Sequence, residues 1–164
     1  MFGWLLAGLF FLTFGVVFFG APYVPTKRKD VDELFELVEF NGGRLIDLGS
    51  GDGRLLIAAA QRQVKSTGWE LSPVIWLIAA WRLRPYRRYA TQHLGSFWRT
   101  KLPDDTAVVF TFLVSRHMAK LDRYLTGEAK RLGHPIQLVS YGFQVDGRRP
   151  VKQRGALIVY RYQP

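Results

Sequence analysis

Three features of the sequence predict an open, mostly parallel α/β sheet wound with helices on both faces and preceded by one membrane-spanning helix. From residue 30 onward, short apolar runs alternate with stretches of helical periodicity. A glycine-rich turn, Gly49-Ser50-Gly51-Asp52-Gly53, joins the first of those runs to a helix. Residues 1–20, MFGWLLAGLFFLTFGVVFFG, contain only glycine and Thr13 besides apolar residues.

Composition narrows what such a chain can be. With 164 residues and no cysteine, it forms no disulfide framework and no thiolate metal site, and no metal is expected. Its 23 basic and 13 acidic residues, a net charge of +10, all lie after Thr26. That charged remainder has the length of one domain, not two.

The apolar run spans about 30 Å as a helix, the thickness of a bilayer core. Trp4 and Tyr23 stand near its two ends, where interfacial aromatics belong. A cleaved signal peptide fits less well, because no basic residue precedes the run. Lys27-Arg28-Lys29 follows it, which predicts a single-pass anchor in a cell (inner) membrane with the domain on the cytoplasmic side. Residues 21–29, with two prolines, read as an extended connector, and residues 30–164 as the domain.

Within the domain, Asp30 is placed to cap a helix, with Glu33 at capping-box spacing. Val31, Leu34, Phe35 and Val38 give that helix one apolar face, and Asn41-Gly42-Gly43 ends it. Strands are expected over 44–48, 64–71, 89–94, 107–113, 136–143 and 156–162. Helices are expected over 54–63, 73–84 and 118–132, the second opening on Pro73 at its first turn.

The turn after the first strand carries the chemistry. Glycines let a backbone approach a ligand closely, and the following helix offers unpaired N–H groups to an anion. A dinucleotide fingerprint needs glycine where Arg54 stands. The sequence instead reads Asp-x-Gly-x-Gly-x-Gly, and Asp47 and Asp52 would repel a pyrophosphate. They would attract a ligand carrying an ammonium and a sulfonium. Glu70, at the end of the second strand, is placed to accept both hydroxyls of a ribose. Together these residues describe a pocket for S-adenosyl-L-methionine.

The stretch IDLGSGDGR resembles the first motif of the class I, Rossmann-like S-adenosylmethionine methyltransferases. Taken with Pro22-Tyr23-Val24-Pro25 and Gly68-Trp69-Glu70-Leu71-Ser72-Pro73, it is similar to a family of membrane-anchored lysine N-methyltransferases whose eukaryotic members modify the ATP synthase c-subunit and the adenine nucleotide translocase. The resemblance implies cofactor contacts from Tyr23, Asp47, Gly49, Ser50, Gly51, Asp52, Gly53, Glu70, Leu71, Phe97 and Trp98. It departs from the family's pattern at three places. Ser96 replaces an acid before Phe97-Trp98, Leu113-Val114-Ser115 replaces a Gly-Val-Pro turn, and only Tyr141 and Phe143 represent an aromatic segment after the fifth strand. All three lie toward the acceptor side.

A lysine substrate must lose a proton before methylation, and an apolar channel beside a sulfonium lowers its pKa without a dedicated base. Trp98, Phe112, Ser115, Tyr141 and Phe143 are the channel candidates, and His117 is a weaker candidate for a base. Between residues 71 and 103 there are six basic residues and no acid. Beside an anchor, that charge suits anionic lipid better than nucleic acid, which is not expected as a partner. The expected function is methyl transfer to a lysine of a membrane or membrane-proximal protein. A lipid headgroup amine or a quinone is the alternative acceptor, and a non-catalytic membrane module the second alternative.

Overall fold

The computed structural model describes residues 28–164. The apolar run 1–20, expected as the anchor, and Tyr23, expected as a cofactor contact, lie outside the described residues. In chain order the elements are α1 (Arg28–Leu37), β1 (Arg44–Leu48), α2 (Arg54–Gln61), β2 (Ser66–Glu70), α3 (Pro73–Arg82), β3 (Ala90–Leu94), β4 (Thr106–Thr111), α4 (Ser115–Leu132), β5 (Ile136–Tyr141), β6 (Lys152–Arg154) and β7 (Leu157–Tyr162). They build one seven-stranded sheet in the order β3-β2-β1-β4-β5-β7-β6. The first five are parallel neighbours, and β7 runs antiparallel to both β5 and β6.

β1 is buried nearly throughout, and its alternating side chains serve two cores. Leu45 faces α1 and α2, packing with Leu34, Leu55 and Val108. Ile46 and Leu48 face α4, with Leu121, Leu125, Val109 and Leu138. A third, smaller cluster joins α2, α3 and β3 through Leu56, Ala60, Ala79, Leu83 and Ala90. Helices therefore cover both faces, as the alternation of elements predicts.

The sheet order changes direction between β1 and β4, which neighbour each other while their chain continuations diverge. In open α/β sheets a ligand crevice forms outside the carboxyl ends of the strands at such a point. The turn after β1 lies there.

Some boundaries differ from expectation. Arg28 already belongs to α1, so Asp30 sits inside the helix's first turn and does not cap it. Its carboxylate accepts the Tyr141 hydroxyl at 2.8 Å, tying α1 to β5, and Glu33 pairs with Lys29 at 3.8 Å. α4 starts at Ser115, not at Met118, because its polar first turn lies outside the apolar periodicity. β5 stops at Tyr141, where Gly142 adopts a φ of 80° and donates to the Ala156 carbonyl at 2.7 Å. β6, a three-residue edge strand of exposed polar side chains, has no apolar pattern to announce it.

No helix connects β3 to β4; the single 3₁₀ turn Phe97–Arg99 stands in that connection. The segment is latched to α4 instead. The buried Glu128 carboxylate accepts the Leu102 backbone N–H at 2.7 Å and the Arg131 guanidinium at 2.8 Å, and the Tyr124 hydroxyl donates to the Thr100 carbonyl at 3.0 Å. Replacing Glu128 by Ala leaves a buried N–H without an acceptor. The expected cost is about 1–3 kcal/mol, read as a lowered urea midpoint with an unchanged slope.

Candidate active site

The site is assembled by the close seating of the β1–α2 turn on β2. Gly49 and Ser50 both donate their N–H to the Trp69 carbonyl, at 3.1 and 2.9 Å. That approach requires a glycine at position 68, because a Cβ there would lie 2.5 Å from the Ser50 Cβ. Gly68 also stands in register between Asp47 and Gln92. With no side chain between them, Gln92 reaches across from β3. Its amide donates to the Ser50 hydroxyl at 2.8 Å and to the Gly51 carbonyl at 3.1 Å. Its own Oε1 is buried with no partner among the described residues.

Glu70 locks the same turn from β2. One carboxylate oxygen accepts the Gly51 N–H at 2.9 Å and the other the Ser72 N–H at 2.8 Å. Ser72 in turn caps α3 by accepting the Ile75 N–H, with Pro73 in the first turn as expected. The carboxylate is held in a fixed orientation while remaining only half-buried. Each of its oxygens keeps a lone pair for a further donor.

Asp47 is the buried acid of the group. Its carboxyl is pushed up from 3.8 to about 8, first by burial and then by the nearby charges of Glu70 and Asp52. Asp52 itself is held by two guanidiniums, Arg54 at 2.9 Å and Arg82, which also donates to the Asp52 carbonyl at 3.0 Å. Asp52 therefore serves to pin the turn to α3, and Asp47 and Glu70 remain as the carboxylates available to a ligand. Gly49, with a φ of 116°, has open space where a side chain would project.

The candidate channel residues fall into two groups. Phe112 lies beside Tyr141 and Phe143, with ring centroids at 5.6 and 5.9 Å. Trp98 belongs elsewhere, its ring tilted against that of the buried Phe97 with centroids 4.3 Å apart and near Tyr124 and His117. Lys120 lies over the Trp98 ring at 4.3 Å. Ser115 is exposed at the start of α4, and Leu71 is exposed beside Glu70. His117 accepts a hydrogen bond from Arg116 at 3.2 Å, and burial together with the charges of Arg116 and Lys120 lowers its pKa.

Gln92, Arg82 and Gly68 complete the site. No motif marks Gln92 or Arg82, because their roles depend on strand register and on how α3 returns over the turn.

A sheet of this order, with a glycine turn after β1 and an acid at the carboxyl end of each of the first two strands, defines a class I methyltransferase domain. The model of the ANTKMT methyltransferase domain family matches residues 47–152, and the chain belongs to that family. The chain is 32% identical over 111 residues to the human lysine N-methyltransferase of the ATP synthase c-subunit, covering 65% of this chain and 46% of that protein. It thus spans about half the length of this relative. A protein-lysine N-methyltransferase of Saccharolobus islandicus is 29% identical over 134 residues, covering 79% of this chain and 81% of that one. Among solved structures, an RNA methyltransferase from Salinibacter ruber in complex with S-adenosyl-L-homocysteine superimposes with a TM-score of 0.72 at 26% identity, covering 85% and 92% of the two chains.

Burial of Asp47 has a measurable consequence. An acid whose pKa is raised on folding contributes stability below its ordinary pKa and loses it as pH rises to the folded value. Without a bound ligand, stability should therefore fall between pH 3.8 and about 8, by up to about 1.4 kcal/mol per pH unit from this group. Asp47→Asn should abolish that component, so urea midpoints of the two proteins should diverge in the variant's favour as pH rises.

Proposed function

We propose that the chain is an S-adenosylmethionine-dependent protein-lysine N-methyltransferase acting on a membrane or membrane-proximal protein. The observation that carries the reading is the buried acid Asp47 together with the oriented carboxylate of Glu70, around an open glycine turn in a methyltransferase domain. Relatives named as lysine N-methyltransferases, one matched over most of its length, support the acceptor.

The residues present fit the cofactor. Asp47 offers a buried carboxyl that a ligand ammonium would ionise, relieving the cost of its burial. Glu70 is oriented for two ribose hydroxyls, and Gly49 leaves room above the turn. When bound, S-adenosylmethionine supplies an activated methyl group on sulfur. The protein's part is to hold the acceptor in line and keep water away. Phe112, Tyr141 and Phe143 form an aromatic group beyond the switch-point strands, and desolvation there would favour a neutral lysine amine. Trp98, packed in the other aromatic group, is the better candidate for a purine face.

Residues 1–20 serve in this reading as a single-pass anchor, with the domain on the cytoplasmic side of the cell (inner) membrane. Tethering would raise the local concentration of membrane-held substrates. The apolarity of that run and the basic residues after it support the assignment. Among the described residues no helix is long and apolar enough to cross a membrane.

Calorimetry should detect S-adenosylmethionine binding by the intact chain, and Glu70→Ala should weaken it by at least about tenfold, since two charge-assisted hydrogen bonds are lost. Absence of binding by the unaltered chain rejects the enzyme reading. Methyl-labelled cofactor, incubated with the chain and a membrane extract, should then label protein that survives lipid extraction and nuclease treatment. Label extracted with lipid would favour a headgroup amine or quinone, and label released by ribonuclease an RNA acceptor.

A further inference from the structure

α3 is built almost entirely of apolar residues, yet it buries only Ala79. Its inner side uses small residues, Ala79 standing close over Gly53 and packing with Leu56, Ala60 and Ala90. Ile75 and Trp76 are partly covered, and the Trp76 indole donates to the Gln92 carbonyl of β3 at 3.5 Å, while the remaining large side chains point the other way. Val74, Leu77, Ile78 and Trp81 are 38, 64, 50 and 67% exposed. Their spacing of i, i+3, i+4 and i+7 makes one continuous stripe, the pattern that normally faces a core. Here it faces outward.

The charge around this stripe is one-sided. Through Leu83 the chain passes into Arg84, Arg87 and Arg88, all exposed, and no acid occurs between residues 71 and 103. A second copy seated on the face would set arginines beside arginines. A contiguous exposed apolar stripe marks a contact surface. With a tryptophan and flanking arginines, it has the composition of a helix lying in the plane of a membrane interface.

We propose that the outer face of α3, with Arg84, Arg87 and Arg88, docks into the headgroup region of an anionic bilayer. This contact is additional to the anchor and rests on that reading only for bringing a bilayer within reach. Ser72, which caps α3, is hydrogen-bonded to Glu70. Docking would therefore hold the carboxyl edge of the sheet at a set distance from the lipid.

Because the chain contains no cysteine, a single reporter can be placed at will. The full chain carrying Leu77→Cys, labelled with an environment-sensitive fluorophore, would be mixed with vesicles of phosphatidylcholine and phosphatidylglycerol and assayed by flotation and emission. Ala119→Cys, exposed on α4 across the sheet, is the control. The proposal expects flotation, with a blue shift and quenching by brominated lipid at position 77 and neither at 119. It also expects roughly a fivefold weaker docking equilibrium for each of Arg84, Arg87 and Arg88 changed to Gln. Flotation with position 77 still water-exposed overturns the docking and leaves the anchor standing. A blue shift present without vesicles and insensitive to brominated lipid overturns it in favour of residues 1–20 or a second copy covering the face. No flotation overturns docking and anchor together.

Discussion

The distance between one turn and one strand governs this molecule's carboxyl edge. Ser50 occupies the space that any side chain at position 68 would need, so the β1–α2 turn rests directly on the β2 backbone. From that contact follow the two N–H groups donated to Trp69, the reach of Gln92 over the strand between, and the grip of Glu70 on Gly51. A methyl group at position 68 would disturb all three at once. The turn is thus held by backbone and side chain from two strands, β2 and β3, and preorganisation of this kind lets a site spend little on ordering when a ligand arrives.

Electrostatics at the site divide labour among three acids of similar position. Asp52 is neutralised by two arginines and holds the turn against α3. Glu70 is oriented by backbone N–H groups without being deeply buried. Asp47 is buried with neither kind of help and is driven toward its neutral form. A ligand cation would change most at Asp47, and the protein tolerates that acid at a cost to its own stability.

Much of this was legible in the chain. The alternation of apolar runs located β1, β2, β4, β5 and β7 within a few residues, and Pro73 marked the start of α3. The acids of the site could be read because motif spacing places them at strand ends. What could not be read depended on register or on surroundings. Gln92 matters only because Gly68 is its neighbour across the sheet. Asp30 looks like a cap locally, but the helix already begins at Arg28 and Tyr141 claims its carboxylate. Phe112 and Trp98, both aromatic residues after strands, sit in different clusters because Phe112 packs toward β5 and Trp98 toward α4.

The uneven helix cover has a consequence for how the molecule breathes. α4 covers much of one face, contributing Met118, Leu121, Leu125 and Ala129 to the larger core, which Phe97, Leu102 and Val145 extend. It cannot detach without exposing that core, so its amides should exchange with solvent only through global unfolding. α3 buries one residue and is held besides by polar contacts, the Trp76 indole on the Gln92 carbonyl and Arg82 on Asp52. It begins immediately after Glu70. The acid that orders the turn is therefore close in the chain to a helix held largely by polar contacts, and breathing of that helix would be felt first at the ligand side of the sheet.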